Sequence, residues 1–252
     1  MPYQPISQLR LPPDDATIWR YMDLWKLEAM VSGLSLFFVR SDNFTDPWDS
    51  KLPPDWESTV NVPMISRPSG GTYTIAEWYR EREIPSNPIH CWNCDDAESS
   101  RMWNEYTSSA QSVVIKSTVG KLKKIFSHTE RNIMIGLIEY GDHSNIPSPR
   151  FVHSQWGESI EEIQANPWYV PRWFKRPDFR YEKELRATTH VSQRTDPFEK
   201  GFSVLIGQSA VAELIQSIRL HPAASLDFGD GVRELLFDNG FEHISVGPSA
   251  LT

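Results

Sequence analysis

The sequence predicts a single α+β domain in which a mixed, mainly antiparallel sheet is flanked by helices. The chain has 252 residues, of which 39% are hydrophobic and 23% are charged, as expected for one folded domain with a sizeable core. Short segments rich in β-branched and aromatic residues are interspersed with segments of helical periodicity. Strands and helices do not alternate regularly along the chain, and no internal repeat is present, which favours the α+β class.

The first half of the chain supplies several elements of this domain. Residues 1–16 form a proline-rich lead-in, and the domain is expected over residues 17–252. Runs of Ile, Val, Phe and Trp predict strands, and helical spacing of apolar side chains predicts helices. Strands are expected at 17–22, 34–40, 89–93 and 112–118. Helices are expected at 24–32, 74–83, 101–109 and 120–126.

Two of these helices carry recognisable end signals. Asp23 is placed to cap the first helix, and Gly33 is placed to end it. Thr74 is followed three residues later by Glu77, which is the spacing of a capping box. In that motif, each of the two side chains accepts a hydrogen bond from the other residue's backbone amide.

The second half of the chain continues the mixed pattern. Strands are expected at 132–140, 180–190, 201–207, 218–220 and 241–246. Helices are expected at 209–217 and 230–239. Residues 141–172 form a long, proline-containing excursion, and a structureless loop of that length is unusual. We therefore expect a short helix at 159–164 within it.

Charge and composition exclude several classes of protein. The net charge of −8 and the pI of about 5.4 do not favour duplex DNA as a partner. No apolar leader and no run of 18 apolar residues is present, so we expect a cytoplasmic protein without a membrane span. Cys91 and Cys94 lack the further ligands of a zinc site and are expected to be free thiols, and the seven scattered histidines indicate no metal site.

The most informative segment is Tyr-Glu-Lys-Glu-Leu-Arg at residues 181–186. If it is a strand, Glu182, Glu184 and Arg186 share one face, because side chains alternate along a strand. On a solvated face such charges form an ion-pair ladder of little energetic value. Facing a cleft, they form a polar site for a hydroxyl, a cationic centre or a phosphate.

Four segments resemble the motifs of the DUF2971 family, a domain of unknown function. They are residues 43–49 (NFTDPWD, resembling F-N-D-P-x-E), 101–106 (RMWNEY, resembling L-M-W-x-x-Y), 181–186 (YEKELR, resembling Y-E-x-E-x-R) and 214–222 (LIQSIRLHP, resembling L-I-x-x-I-x-x-x-P). Their order matches, and the resemblance spans roughly residues 17–250. Thr45 and Asp49 depart from the first motif, where the family often has Asn and Glu. The family name implies no established activity.

The order of elements is also similar to that of the ADP-ribosyltransferase fold. This resemblance implies NAD as the substrate, a basic residue of the first strand against NAD, and a glutamate of a late strand beside the ribose. The middle motif stays open between Trp92-Asn93 and Ser99-Ser100. The implied catalytic residues are Glu184 and Glu182, and the implied NAD-binding residues are Arg20, Tyr21, Trp103, Tyr106, Arg186 and Asp46.

The implied chemistry suits these residue types. Cleavage of the nicotinamide–ribose bond develops positive charge on the ribose, which a carboxylate such as Glu184 stabilises while Glu182 orients or activates a macromolecular acceptor. A guanidinium can hold the diphosphate through two hydrogen bonds, and Trp103 or Tyr106 can stack on nicotinamide. The resulting hypothesis is an NAD-dependent ADP-ribosyltransferase-like enzyme that acts as a toxin or as a phage-defence effector.

Two other classes of function stay open. One is a non-catalytic binding or regulatory module of a defence system, with an exposed aromatic cluster as the site for a protein partner. That cluster would comprise Trp156, Trp168, Tyr169, Trp173 and Phe174. The other is a nuclease in which Asp46, Glu182 and Glu184 bind Mg²⁺.

Overall fold

A computed structural model of the chain describes residues 9–44, 46, 48–52, 56, 63–66, 70–142, 170–192 and 199–251. The strands are, in chain order, β1 (Thr17–Asp23), β2 (Ser35–Val39), β3 (Pro63–Ser66), β4 (Thr72–Thr74), β5 (Ile89–Asn93), β6 (Ser112–Thr118), β7 (Ile133–Leu137), β8 (Glu139–Tyr140), β9 (Phe174–Lys175), β10 (Glu184–Thr189), β11 (Gly201–Leu205), β12 (Ser217–Leu220) and β13 (Val246–Gly247).

Helices lie between these strands. They are α1 (Leu24–Gly33), α2 (Ile75–Trp78), α3 (Ile84–Ser86), α4 (Ser100–Tyr106), α5 (Val119–Phe126), α6 (Val170–Trp173), α7 (Gln208–Leu214) and α8 (Leu226–Asp238). A π-helical turn at Tyr79–Glu83 joins α2 to α3, and 3₁₀ turns lie at Ser41–Asn43 and Pro177–Glu182. No helix of the described ranges combines the length and the apolarity that crossing a membrane requires.

Strand β5 is the junction of the main sheet. Along one edge it pairs antiparallel with β10, which in turn pairs with β7. Its other edge is shared, because β1 pairs with Asn93 at one end and β2 pairs with Ile89 at the other. The path β11-β2-β5-β1-β6-β12-β13 is antiparallel except for the last, parallel pair. The predicted α+β class with a mixed, mainly antiparallel sheet is therefore confirmed.

The two faces of this sheet carry different cores. A large apolar core joins buried side chains of α1, α5, α7 and α8 to strand residues such as Ile18, Ile115 and Leu185. On the opposite face, the neighbouring strand residues Trp19 and Val114 belong to a smaller cluster with α4. The alternation of side chains along β1 and β6 thus separates an apolar face from the face on which the charged residues of β10 lie.

Most predicted elements occur where the sequence places them. The differences lie at the ends of elements and in the strand expected at 241–246, where the structure has only the short strand β13 (Val246–Gly247). The capping box is confirmed, since the Thr74 amide donates to Glu77 Oε2 at 2.9 Å and the Glu77 amide donates to Thr74 Oγ1 at 3.1 Å. Asp23 precedes α1 but makes no capping bond, because its carboxylate accepts from the distant Ser108 instead. The left-handed residue after α1 is Leu34, with φ 47°, and not Gly33.

Two further predictions concern the second half of the chain. Helix α8 begins at Leu226 rather than at residue 230, because the Ser225 side chain accepts a hydrogen bond from the Phe228 amide and caps the helix there. The helix predicted at 159–164 lies outside the described residues. The domain limits stay a prediction.

Candidate functional site: a buried ionic cluster

The charged segment at residues 181–186 is not a continuous strand. Lys183 has a φ of 41°, in the left-handed region, so the 3₁₀ turn ends at Glu182 and β10 begins only at Glu184. The prediction that all six residues form a strand is therefore wrong for the first three. Asn93 bridges the break, because its Nδ2 donates to the Glu182 carbonyl oxygen at 2.7 Å. This contact keeps Glu182 beside β5 although it lies outside the sheet.

Beyond the break, the side chains of β10 alternate between the two faces of the sheet, as predicted. Glu184 lies opposite Asn93 and Arg186 lies opposite Cys91, whereas Leu185 between them packs into the large apolar core. Glu184 and Arg186 therefore project from the same face of the sheet. Both side chains are buried, so this face is not the solvated ion-pair ladder that a charged strand usually forms.

Arg186 is completely buried and uses all its hydrogen-bond donors within the protein. Its Nε and Nη2 donate to the two carboxylate oxygens of Glu184, at 2.6 and 3.2 Å. Its Nη1 and Nη2 bind both oxygens of Asp49, at 3.1 and 2.9 Å, and Nη1 also donates to the Arg172 carbonyl at 2.7 Å. Because a guanidinium has five N–H donors, none is left for a ligand. Arg186, expected to bind NAD, instead holds two carboxylates in place.

Lys175 links the same carboxylates to Glu182. Its Nζ lies 2.6 Å from Glu182 Oε2, 2.7 Å from Glu184 Oε2 and 3.4 Å from Asp49 Oδ2. All four side chains are at most 7% exposed. We call Lys175, Arg186, Asp49, Glu182 and Glu184 the ionic cluster. Sequence reasoning missed Lys175 altogether, and its only signal for Asp49 was the family-like segment at residues 43–49.

The two glutamates of the ionic cluster differ in their ionisation. Burial raises the pKa of Glu182, and the nearby charge of Glu184 adds to this effect, while Lys175 and the hydroxyl of Tyr106 oppose it. Burial acts in the same direction on Glu184. There, however, Arg186 and Lys175 together outweigh burial and hold the pKa of Glu184 well below its usual range. Glu184 is therefore the firmly ionised member of the pair.

The two glutamates are about equally buried, but the side chains that cover them differ in exposure. Glu182 Oε1 accepts a hydrogen bond from the Tyr106 hydroxyl at 2.5 Å. Tyr106 is 40% exposed, whereas Arg186 behind Glu184 is not exposed at all. A partly exposed tyrosine therefore covers Glu182 Oε1, whereas Glu184 is enclosed by its ion pairs with Arg186 and Lys175. Glu182 thus forms the end of the ionic cluster that a partly exposed side chain covers.

Two aromatic residues expected at the site are part of a small core. Tyr21 and Trp103 form an edge-to-face pair with ring centroids 5.1 Å apart, and both rings are buried. The Tyr21 hydroxyl accepts a hydrogen bond from the Ser99 amide, and Trp103 Nε1 donates to Glu98. Neither ring has a free face for stacking on a ligand. Of the predicted stacking residues, Tyr106 alone remains available.

Arg20 does not lie beside the glutamates. It shares a face of β1 with Ile18 and Met22, which belong to the large apolar core on the opposite side of the sheet from Glu184. Its Nη1 donates to the Cys91 carbonyl oxygen at 2.6 Å, and it makes no ion pair with any carboxylate of the described residues. Burial lowers the pKa of Arg20 to about 10. The expected pairing of Arg20 with Glu184 across one NAD molecule is therefore not found.

Asp46 is also separate from the ionic cluster. Its Oδ1 pairs with Arg176 Nη2 at 3.1 Å and accepts from the Trp48 amide at 3.0 Å. The carboxylates of Asp46, Glu182 and Glu184 are thus not assembled as a magnesium site. Within the ranges that the structure describes, no group of three His, Cys, Asp or Glu side chains is arranged to hold a metal ion.

The remaining sequence expectations concern β5 and the aromatic segment. Of the two middle-motif candidates, Asn93 borders the ionic cluster, whereas Ser99 caps α4 by accepting from the Met102 amide. Cys91 and Cys94 are free in the structure, and burial raises the pKa of both thiols. In the expected aromatic cluster, Trp173 is buried, and residues 156, 168 and 169 lie outside the described ranges.

Fold and site together define an α+β protein with a buried ionic cluster at the start of β10. The model of the family described as "Protein of unknown function (DUF2971)" matches residues 102–187, a stretch that includes most of α4 and the glutamates of the ionic cluster. The resemblance inferred from the sequence is confirmed over this stretch. No curated protein matches the chain.

Solved structures of DarT from Thermus sp. 2.9 are similar to the chain along most of its length. They are complexes with ADP-ribosylated ssDNA, with carba-NAD⁺ and with NAD⁺. Each is 13% identical, and the alignment covers 95% of this chain and 97% of DarT. The TM-scores are 0.37, 0.39 and 0.37, respectively.

Proposed function

We propose that the chain is an NAD-dependent ADP-ribosyltransferase-like enzyme that uses the ionic cluster to cleave the nicotinamide–ribose bond. The observation that carries this proposal is the charge balance of the cluster. Asp49, Glu182 and Glu184 face Lys175 and Arg186, so the fully ionised cluster has one negative charge in excess. The excess charge lies in a buried setting, where its interaction with a developing cation is stronger than in water.

The reaction needs such a charge. As nicotinamide departs, the ribose acquires oxocarbenium character, and a fixed carboxylate next to it lowers the barrier by stabilising positive charge. The cluster residues are already held by short hydrogen bonds, for example Lys175 Nζ to Glu182 Oε2 at 2.6 Å. A prearranged carboxylate of this kind does not need to reorganise during the reaction.

Within this proposal, the roles that the sequence suggested for the two glutamates are exchanged. Both oxygens of Glu184 are bound by Arg186, and one of them also by Lys175. Among the described residues, the Tyr106 hydroxyl is the one group that binds Glu182 Oε1. We therefore assign the contact with the ribose to Glu182, and to Glu184 the task of holding Lys175 and Arg186 in position.

The groups that would contact the rest of NAD lie around Glu182. The partly exposed ring of Tyr106 is placed to stack on nicotinamide once its hydroxyl leaves Glu182. Arg101 lies 3.5 Å from the ring centre of Tyr181, is exposed, and makes no ion pair within the described residues. A guanidinium stacked in this way keeps its edge free for a diphosphate. In the proposal, Arg101 replaces Arg20 as the diphosphate contact.

The proposal includes the setting that the sequence suggested. The enzyme would act in the cytoplasm as a toxin or phage-defence effector and would modify a macromolecular acceptor. The net charge of −8 argues against duplex DNA as that acceptor, because the phosphate backbone of DNA repels an acidic protein. Identification of the acceptor requires labelled NAD and a cell extract.

The test is nicotinamide release from NAD, followed by chromatography. Wild-type protein is expected to release nicotinamide, and Glu182→Gln is expected to lose about 100-fold or more of the rate because the ribose cation loses its charged partner. Glu234→Gln is the matched control, since it removes an exposed carboxylate on α8. The melting temperature of each variant shows whether folding is retained.

Two results would contradict the proposal. One is equal nicotinamide release by the wild type and by a folded Glu182→Gln variant. The other is the absence of release combined with no rise in the wild-type melting temperature when NAD is added, since a ligand that binds the native state must stabilise it.

A further inference from the structure

Lys175 is the one member of the ionic cluster that contacts all three carboxylates. It belongs to β9, which pairs with β8 so that Lys175 lies beside Tyr140. Its backbone carbonyl accepts a hydrogen bond from the Gly141 amide at 3.0 Å, which fixes the position of the strand. The three N–H donors of its ammonium face Glu182, Glu184 and Asp49.

Charged and titratable groups from every neighbouring element face Glu182. Lys175 of β9 and the Tyr106 hydroxyl of α4 are in direct contact with its carboxylate. Glu184 of β10 shares the same ammonium, and Tyr140 of β8 lies behind it, where its hydroxyl accepts a hydrogen bond from the Glu184 amide. Among these groups, Lys175 alone carries a positive charge that touches Glu182.

We propose that Lys175 is a positioning residue for Glu182, holding it next to Glu184 and keeping it ionised for the reaction. Two carboxylates in one buried site repel each other, and without a cation between them one of the pair takes up a proton. A protonated Glu182 could no longer stabilise a ribose cation. This inference rests on the proposed function, because it assigns Lys175 a part in that reaction.

The direction in which each neighbour shifts the pKa of Glu182 agrees with this geometry. Burial and Glu184 raise the pKa of Glu182, while Lys175 and the Tyr106 hydrogen bond lower it. Removing the ammonium leaves the hydroxyl of Tyr106 as the main opposing influence. The pKa of Glu182 then rises further, and the active form of the enzyme is confined to higher pH.

The experiment is a pH titration of the glutamate carboxyl carbons by ¹³C NMR, in which Glu182→Gln identifies the signal of Glu182. In Lys175→Met, the midpoint of Glu182 is expected to move to higher pH by about one unit or more, and in Lys175→Arg it stays close to the wild-type midpoint. Lys175→Gln, which keeps hydrogen-bond donors but no charge, serves if the methionine variant does not fold. The rate of nicotinamide release is measured as a function of pH on the same proteins. The acid limb of this pH–rate profile is expected to move with the titration midpoint of Glu182.

The two readouts separate the two hypotheses. An unchanged Glu182 midpoint in a folded Lys175→Met or Lys175→Gln protein overturns the inference, even if nicotinamide release continues. A shifted midpoint overturns the proposed function, and with it any part of Lys175 in that reaction, if the wild type neither releases nicotinamide nor gains melting temperature when NAD is added. A shift of midpoint and acid limb together, with recovery in Lys175→Arg, supports both.

Discussion

Removal of the Arg186 guanidinium is the most direct test of the ionic cluster as a structural unit. Arg186→Met replaces a completely buried side chain by an apolar one of similar length. The change leaves Asp49 and Glu184 in the interior, and it also removes the donor to the Arg172 carbonyl. Lys175 alone remains to compensate the three carboxylates of the cluster.

The size of the effect follows from the burial of the pairs. Breaking a buried ion pair by removing one partner costs about 3–5 kcal/mol of the free energy of unfolding, because the other charge stays buried and uncompensated. For a chain of this length, this corresponds to a fall in the melting temperature of about 6–20 °C. Arg233→Met is a matched control, since it breaks an exposed pair with Asp230 and is expected to cost no more than about 1 kcal/mol.

The stability difference between wild type and Arg186→Met should also depend on pH in a definite direction. Arg186 and Lys175 lower the pKa of Glu184 in the folded protein, so the stabilisation that Glu184 provides is complete above its unfolded-state pKa and is lost as the pH falls towards its folded-state pKa. The difference in melting temperature between wild type and Arg186→Met should therefore be largest near neutral pH and should shrink in acid. Calorimetry at several pH values measures it. A small, pH-independent difference would refute the reasoning.

Three other perturbations test local features. Lys183→Gly should raise the free energy of unfolding by up to about 1 kcal/mol, because glycine adopts the left-handed φ of 41° without steric cost; a loss of stability in denaturant titration would contradict this. Thr74→Ala should lower the free energy of unfolding by about 0.5–2 kcal/mol through loss of the bond to the Glu77 amide, and no change would show that the capping box is dispensable. Glu98→Ala should increase hydrogen exchange at the Ala250 amide about tenfold, since Glu98 is the acceptor of that amide; unchanged protection would show that other contacts hold the segment.

Elements defined by neighbouring residues could be predicted from the sequence. The strands at residues 89–93 and 112–118 and the capping box of α2 occur where their patterns indicate. Asp23 shows the limit of such signals. It stands at the right position for a helix cap, but its carboxylate binds Ser108, which is distant in sequence. A local preference is overridden when a tertiary partner offers the same group a better hydrogen bond.

The candidate site was predicted only in part, for a similar reason. Glu182, Glu184 and Tyr106 lie in motifs that the sequence displays, and the structure brings them together. Lys175 occurs in no motif, so the sequence offered no reason to select it. Arg20 illustrates the opposite error, because the order of elements placed it near Glu184 while the pairing register turned it to the other face of the sheet.

The sequence by itself determined many of the strands and helices, for example β1, β5, β6 and α1, and the alternation that directs Glu184 and Arg186 to one face. These properties depend on interactions within a few residues, which a linear sequence displays. Only the tertiary structure decided that Asp49 and Arg186, 137 positions apart, form a bidentate pair and that Lys175 joins Glu182 to it. Buried charges must find partners wherever the packed elements place them, and sequence spacing does not encode that placement.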